Sequence, residues 1–174
     1  MPDASDETGP ARLDALFARL GIVCERVEHP AVFTSREAEQ LVPKTRGAHA
    51  KNLLVEDRVD GRLSLLTVPY TKRTDLGATA RALGTGRLRF AREATMVAAL
   101  GITPGAVSVL ALVNDSAGRV TLVLDRALAE AGALQCHPLV NTATVVIDAA
   151  DLRRFLDATG HAVTVMDVPA VSAA

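Results

Sequence analysis

Aromatic residues are scarce in this 174-residue chain, which has no tryptophan, one tyrosine and four phenylalanines. Proteins that bind single-stranded nucleic acid along a groove stack successive bases on several aromatic rings, so the composition disfavours such a platform. The apolar content of 49% must come mainly from aliphatic side chains, which we expect to form the core.

Cysteine is equally scarce. Cys24 and Cys136 are the only two, and no Cys-x-x-Cys spacing occurs, which argues against a disulfide framework. Both lie in apolar segments, where inert buried thiols are expected. No His-x-x-His or His-x-x-x-His pair occurs either, so we expect no bound metal and no other cofactor.

Long apolar runs are also lacking. No run approaches the roughly 18 residues that span a bilayer, and the polar, acidic start is unlike a signal peptide. We therefore expect a cytoplasmic protein with no membrane partner. The length favours a single domain at residues 10–168, with flexible tails at 1–9 and 169–174.

The net charge of −1 hides an uneven distribution. Between Lys44 and Arg92 the chain has eleven lysines and arginines against four acidic residues. Such local positive charge is typical of proteins that bind a polyanion. A solvated face with scattered arginines is the alternative interpretation.

Hydrophobic periodicity, caps and turn residues predict alternating short elements. Helices are predicted over residues 10–21, 34–41, 75–83, 93–100, 127–131 and 148–160. Strands are predicted over residues 22–28, 50–56, 63–68, 88–90, 107–113, 120–124, 134–136, 142–147 and 163–168.

Two of these strand pairs are predicted to be hairpins. Asp60-Gly61 is a strong tight-turn pattern between residues 50–56 and 63–68, and 114–118 is predicted to join 107–113 to 120–124. The fold class is therefore α/β (α+β), with a mixed, mostly antiparallel sheet wrapped by helices rather than a doubly wound sheet. No glycine-rich phosphate-binding pattern occurs, which disfavours nucleotide binding of those kinds.

Lys51 is the first candidate functional residue, because it is a charged residue among apolar residues at the start of a predicted strand. A lysine there either extends to solvent or holds a partner. In the second case it can bind a phosphate or ribose of a nucleic acid. Asn52 faces the other side of a regular strand, so we expect it to have a different role.

The segment from Gly101 to Ser108 contains two glycines and a proline. Such a turn can approach a ligand closely and direct backbone N–H groups at a developing oxyanion, although a helix stop and turn is the simpler alternative. Ser108 lies in no G-x-S-x-G elbow, so nucleophilic catalysis has little support.

The sequence predicts different roles for three of the four histidines. His137 precedes a proline, which favours an extended backbone, and it can be a base, a hydrogen-bond donor or a structural link. His29 also precedes a proline and is expected to be structural. His161, near the end of the chain, is expected on the surface.

Several separated motifs together resemble the YbaK and proline-tRNA-synthetase-associated editing domains, and in particular their free-standing branch called PrdX or ProXp-ala. The motifs are residues 29–34, 49–53, 101–108, 112–115 and 137–144. The resemblance covers residues 13–167. It implies a YbaK-like fold without metal and an activity that removes alanine from mischarged tRNA for proline.

The resemblance also implies roles for individual residues. Lys51 matches the family's essential lysine, and His137 its motif histidine. Gly105, Ala106, Val107 and Ser108 match the start of its G-x-x-x-P loop. The loop's proline position is Val109 here, which leaves the backbone N–H groups in place and removes one source of rigidity.

The implied mechanism is hydrolysis by a water molecule. Backbone N–H groups of residues 105–108 would bind the ester carbonyl, Lys51 would hold the terminal ribose or phosphate, and the neighbouring ribose hydroxyl would accept the water proton. His137 would shape the site. Further substrate and tRNA contacts are expected from Asn52, Gly101, Asn141, Lys44, Arg46, Lys72, Arg73, Arg87 and Arg89.

Two alternatives remain open from the sequence. One is a deacylase of the YbaK type that removes cysteine instead of alanine from tRNA for proline. The other is a non-catalytic nucleic-acid-binding module that uses the same basic surface. Mischarged tRNA for proline is the expected partner, and prolyl-tRNA synthetase or an elongation factor is a further, transient expectation.

Overall fold

The computed structural model describes residues 9–173. The helices are α1 (Pro10–Leu20), α2 (Ser35–Leu41), α3 (Leu76–Leu83), α4 (Glu93–Leu100), α5 (Arg126–Ala129) and α6 (Ala149–Thr159), with a 3₁₀ helix at Val109–Asn114. The strands are β1 (Glu25–Glu28), β2 (Ala48–Asp57), β3 (Leu63–Pro69), β4 (Leu88–Phe90), β5 (Val120–Asp125), β6 (Ala133–Cys136), β7 (Ala143–Asp148) and β8 (Val163–Met166).

All eight strands belong to one sheet with the order β1-β7-β6-β2-β3-β5-β8, and β4 also pairs with β2. Four pairings are antiparallel, namely β1–β7, β6–β7, β2–β3 and β2–β4. The β2–β6, β3–β5 and β5–β8 pairings are parallel. The predicted fold class, a mixed and mostly antiparallel sheet with surrounding helices, is confirmed.

Strand β2 is the longest strand and joins the two halves of the sheet. Its first residues, Ala48 and His49, pair with β6, whereas Val55 to Asp57 pair with β4. Its middle pairs with β3 across the hairpin that Asp60-Gly61 predicts. The β2 backbone therefore has hydrogen-bond partners along most of its length, which fixes the direction of each side chain that it carries.

The spacing of Thr34 and Glu37 in the sequence is typical of a capping box at the start of the helix predicted over residues 34–41, and the structure contains that capping box. The Thr34 hydroxyl accepts a hydrogen bond from the Glu37 N–H, and the Glu37 carboxylate accepts one from the Thr34 N–H. A helix start of this kind satisfies two backbone donors that would otherwise lack a partner. It places α2 directly after the segment that carries His29.

The second predicted hairpin is wrong. Residues 109–114 form a 3₁₀ helix, and β5 pairs in parallel with β3 and β8. Val109 to Val113 are all buried, and a short, wholly apolar run has the same appearance in a buried strand and in a buried helical turn. The Ser108 hydroxyl begins the helix by accepting a hydrogen bond from the Leu110 N–H at 3.2 Å.

Asp148, an aspartate of the kind that caps helices, begins the helix predicted over residues 148–160. It occupies the N-cap position of α6, but its side chain forms no cap hydrogen bond, and its carboxylate instead accepts one from Arg46 at 2.6 Å. The flexible tails predicted at residues 1–9 and 169–174 stay predictions. Residues 1–8 and 174 lie outside the described residues. In the described part of the second segment, the Pro169 carbonyl accepts a hydrogen bond from the Asp75 N–H at 2.8 Å.

Two apolar clusters form the core. The larger contains α1, α4, α6 and the 3₁₀ helix against the sheet, with Phe155 fully buried and Phe17 packed edge-on against it. The smaller contains Val55, Leu66 and Val68 beneath α3. Within the described residues, no helix combines the length and the apolar character needed to cross a membrane.

The expectation that His161 lies on the surface is wrong. It is 7% exposed, and its Nε2 lies 3.0 Å from Asp115 Oδ2. Asp115 also accepts hydrogen bonds from the N–H groups of Arg119 and Val120. Burial alone would raise the pKa of Asp115, but the hydrogen bonds from His161 and the two backbone groups lower it overall.

We expect Asp115→Ala to lower the free energy of unfolding by about 3 kcal/mol at pH 7, because it leaves buried donors without a partner. Urea denaturation of the variant and of the exposed control Asp14→Ala measures this. Since the pKa of Asp115 is lowered in the folded state, its contribution is complete above the ordinary value of 3.8 and is lost as the pH falls through the lowered value. Equal stability of both variants at pH 7 would contradict the prediction.

Candidate functional site

A cavity of about 230 Å³ opens where the first half of β2 meets β6 and the segment that precedes α2. Its walls come from residues 32–34, 49–52 and 135–137, together with Ala38, Tyr70, Gly105, Val107 and Thr144. Lys51, Gly105, Val107 and His137, which are far apart in the sequence, all line it. The three segments singled out in the sequence therefore meet at one place.

Lys51 supplies the positive charge of the cavity. It is the fourth residue of β2, opposite Val68 of β3, and its side chain is partly buried. Burial lowers the pKa of its ammonium group. Within residues 9–173 the ammonium group belongs to no salt bridge, so an anionic ligand group would be its counter-charge.

Asn52 also lines the cavity, but its amide oxygen has a partner. Asn52 Oδ1 accepts a hydrogen bond from the Thr67 hydroxyl at 2.7 Å. Thr67 is fully buried in β3. Asn52 therefore ties β2 to β3 next to Lys51 and holds this end of the hairpin in register.

The loop that contains Gly105 comes close to two other segments. Gly105 has φ +92°, and a Cβ atom there would lie 3.3 Å from the Phe33 ring and 3.5 Å from Asn141 Nδ2. Only glycine has both the backbone freedom and the space required. The Asn141 amide also donates to the Val32 carbonyl at 3.5 Å, which connects the three segments at this wall.

The backbone donors of the loop are not equivalent. The Ala106 N–H donates to the Thr103 carbonyl at 3.2 Å, whereas the N–H groups of Gly105 and Val107 have no hydrogen-bond partner in the part of the chain that the structure describes. Ser108 is fully buried, and neither Ser108 nor Ala106 lines the cavity, whereas Gly105 and Val107 do. Of the four predicted carbonyl-binding residues, Gly105 and Val107 therefore remain as candidate donors.

Val109, at the position where the resemblance implies a proline, is fully buried as the first residue of the 3₁₀ helix. The Ala111 N–H donates to the Ser108 carbonyl at 3.0 Å, and the Leu110 N–H donates to the Ser108 hydroxyl. The cap and the buried helix that follow thus hold the end of the loop without a proline ring.

His137 is positioned by the backbone of β7. Its Nδ1 lies 3.0 Å from the Ala143 carbonyl, which can only accept, so Nδ1 carries the hydrogen and Nε2 has the lone pair. Burial lowers the pKa of His137, and proximity to His29 lowers it further, whereas the hydrogen bond to Ala143 opposes the shift. The imidazole is therefore neutral at pH 7.

His29 packs behind His137, with ring centroids 6.2 Å apart. Its Nδ1 lies 2.8 Å from the Pro30 carbonyl and its Nε2 lies 2.9 Å from the Thr144 hydroxyl. Both ring nitrogens are engaged within the protein. His29 therefore links β7 to the segment before α2 and supports the cavity wall from behind.

Sequence reasoning missed His49 and its neighbours. The His49 ring stacks on Tyr70 with centroids 4.4 Å apart, and the Tyr70 hydroxyl donates to Glu39 of α2. Burial and the nearby His137 lower the pKa of His49, while Glu39 opposes this. His49 lies two residues before Lys51 and so shares its face of the strand, a pattern that could have identified it. No pattern identified Tyr70.

Two predicted binding residues lie in different settings. Gly101 ends α4 in the left-handed conformation and packs against Asn114, outside the cavity wall. Asn141, in contrast, contacts the loop at Gly105. Cys136 lines the cavity, but burial raises the pKa of its thiol to about 12, so it is not a thiolate at neutral pH.

Three of the six predicted tRNA-binding cations are engaged in ion pairs. Arg46 pairs with Asp148, Lys72 with the buried Asp125 at 2.6 Å, and Arg89 with Glu56 at 2.9 Å. The other three, Lys44, Arg73 and Arg87, form no ion pair with the carboxylates of residues 9–173 and are exposed.

The chain is similar in sequence to a known protein family and to individual relatives. The family model described as an aminoacyl-tRNA editing domain matches residues 29–155. A prolyl-tRNA synthetase associated domain-containing protein 1 from Danio rerio is 39% identical over 151 residues, which is 86% of this chain and 82% of the relative. The prolyl-tRNA editing protein ProX from Acetoanaerobium sticklandii is 30% identical over 151 residues, which is 87% of this chain and 90% of that protein.

The fold has solved counterparts. A solved structure of a candidate trans-editing enzyme for prolyl tRNA synthetase superposes with a TM-score of 0.69 at 23% identity, and the match covers 95% of this chain and 99% of the other. At that identity the superposition shows a shared fold. With the family match and the two relatives, it leads to one conclusion: the chain belongs to the family of aminoacyl-tRNA editing domains.

Proposed function

We propose that this protein is a trans-acting deacylase that hydrolyses the ester of mischarged tRNA for proline, with alanine as the amino acid removed. The observation that carries the proposal is the convergence of Lys51, Gly105, Val107 and His137 on one small cavity. The names of the two relatives, which refer to prolyl-tRNA, support the choice of tRNA.

An aminoacyl ester is already activated, so positioning and polarisation of its carbonyl can drive hydrolysis without a protein nucleophile. The N–H groups of Gly105 and Val107 bind the carbonyl oxygen, and Lys51 binds the terminal ribose or phosphate. Water adds to the carbonyl carbon, and the bond to the ribose oxygen then breaks. The neighbouring ribose hydroxyl relays the water proton to that leaving oxygen.

His137 acts on the substrate as a neutral group. Its Nε2 lone pair can accept a hydrogen bond from the ammonium group of the bound amino acid or from the water molecule. A protonated His137 would instead repel that ammonium group and Lys51. Burial of His137 and His49 therefore serves binding by keeping both rings uncharged.

The rim and the wall of the cavity suit the two ends of the substrate. The Phe33 side chain is 68% exposed at the rim, and a single ring of this kind can stack on the terminal adenine. Ala38, Ala50, Val32 and Val107 form apolar walls. A small apolar pocket accepts a methyl side chain and rejects the larger proline ring by size.

Deacylation assays on three substrates test the proposal. We expect release of alanine from tRNA for proline well above the buffer rate, with prolyl-tRNA left intact. Faster release of cysteine than of alanine would favour the YbaK-type activity. Tight tRNA binding with no release of any amino acid would favour a non-catalytic binding module and overturn the proposal.

Substitution of the cavity lysine gives a second prediction. Lys51→Ala should lower kcat/KM by about two orders of magnitude, since it removes charged hydrogen bonds to the substrate. Because the Lys51 ammonium group has no ion-pair partner among the described residues, its removal should not lower the midpoint temperature of thermal unfolding. Arg153→Ala, on the exposed face of α6, is the control. Turnover at the wild-type rate in the Lys51 variant would remove this residue from the site.

The neutral histidines predict the pH dependence. Because the pKa of His137 is lowered, kcat/KM should fall only below the ordinary histidine value of 6.5, as protonation places a further positive charge in the cavity. His137→Asn keeps a donor for the Ala143 carbonyl and cannot be protonated, so its acid limb should move to lower pH. If the acid limb of the kcat/KM profile were unchanged in this variant, a group other than His137 would be the one that titrates.

Chelation gives the last test of this function. Among residues 9–173 no three histidine, cysteine, aspartate or glutamate side chains are grouped to hold a metal ion. Because the proposed chemistry uses backbone donors and an ammonium group, the deacylation rate should be the same before and after dialysis against EDTA. A loss of activity that zinc alone restores would contradict the proposed chemistry.

A further inference from the structure

The far end of β2 has a pair of arginines that the proposed chemistry does not use. Arg58 follows β2 and Arg87 precedes β4, and both are exposed. We call these two residues the arginine edge. In the part of the chain that the structure describes, neither forms an ion pair with a carboxylate.

The segment that carries Arg87 is one-sided in charge. Residues 76–92 contain four arginines and no acidic residue or lysine. One of the four, Arg89, is paired with Glu56 of β2 at 2.9 Å. Because the two guanidinium groups of the arginine edge have no ion-pair partner among the described residues, a polyanionic ligand can supply their counter-charge.

The backbone beneath the arginine edge is firmly fixed. The Arg58 N–H donates to the Arg87 carbonyl at 2.9 Å, which holds these two residues side by side. The buried Asp57 carboxylate accepts hydrogen bonds from the N–H groups of Val59 at 2.8 Å and Gly86 at 2.7 Å. A Cβ atom at Gly86 would overlap the Asp57 and Val59 side chains, so this close approach requires glycine.

The spacing between the two ends of β2 limits the kind of ligand. Lys51 and Asp57 are six residues apart on one strand, which corresponds to about 20 Å. Charges in solution are largely screened beyond about 8 Å at physiological ionic strength. The arginine edge therefore has little influence on the cavity through its field alone, and a ligand that contacts both must be long and polyanionic.

We propose that the arginine edge binds the sugar–phosphate backbone of the double-stranded stem of the same RNA whose 3′ end enters the cavity. The inference rests on the proposed function. Guanidinium groups match phosphate geometry well, and phosphate contacts orient a nucleic acid without reading its sequence. An acidic protein partner would also be anionic, but it would not extend from the arginine edge to the cavity in a single ligand.

The arginine edge revises which cations hold the RNA. Arg46, Lys72 and Arg89 are bound to carboxylates of the protein itself, and releasing them would break contacts between elements. Arg58, which the sequence did not single out, has no ion-pair partner among the described residues. Arg87 belongs to both sets.

The test compares two substrates in one variant. The double variant Arg58→Gln, Arg87→Gln should raise KM for full-length alanyl-tRNA for proline about tenfold at physiological salt, and should reduce the slope of log KM against log salt by about two. The alanyl ester of a CCA trinucleotide, which is too short to reach the arginine edge, should be hydrolysed at the wild-type rate.

Matched variants separate charge at this location from charge in general. Arg19→Gln, Arg153→Gln changes the net charge equally on α1 and α6 and should leave KM unchanged. Arg58→Lys, Arg87→Lys keeps the charge, and its KM should stay within about threefold of the wild-type value.

Several results would overturn the inference. One is a wild-type KM and salt slope for full-length tRNA in the glutamine variant, and another is an equal rise in KM in the control variant. A normal KM with loss of binding to prolyl-tRNA synthetase would assign the arginine edge to a protein partner. Failure of the wild-type protein to hydrolyse either substrate would instead overturn the proposed function, which the trinucleotide ester reports independently.

Discussion

The candidate site depends on one partly buried ammonium group that has no carboxylate partner in the described chain. Burial of a charge without a partner costs free energy, and the lowered pKa of Lys51 is the sign of that cost. The protein tolerates it because β2 is bonded on both sides and the cores beneath it are large. Under the proposed function, an anionic group of the substrate supplies the missing counter-charge.

The histidines near Lys51 add no further positive charge at neutral pH. His137 and His49 are held neutral by burial, and His29 uses both ring nitrogens for contacts within the protein. The positive charge of the cavity is thus confined to one atom, while the two unused backbone donors near Gly105 add dipoles without net charge. Under the proposed function, this division separates recognition of phosphate or ribose from polarisation of a carbonyl.

Local patterns in the sequence predicted local structure well. The capping box at Thr34, the Asp60-Gly61 hairpin and the helix end at Gly101 rest on contacts within a few residues, and each is confirmed. The buried 3₁₀ helix was predicted as a strand, because a wholly apolar segment has no periodicity that distinguishes a strand from a helical turn. Side-chain contacts between distant segments could not be predicted either, such as the hydrogen bond of Arg46 to Asp148, 102 residues later in the chain. The grouping of Lys51, Gly105 and His137 was expected from family resemblance, since no residue pattern encodes distances between such remote segments.

The topology determines when the cavity can exist during synthesis. Its walls extend from Val32 to Thr144, and β6 must add alongside Ala48 and His49 to close one side. Pairings between such distant residues form late, because the intervening chain must first be ordered. A nascent chain that has not emerged from the ribosome past Thr144 therefore lacks a complete wall. Under the proposed function, the growing polypeptide is inert toward the charged tRNAs that deliver its own amino acids, and it gains hydrolytic capacity only when most of its length has folded.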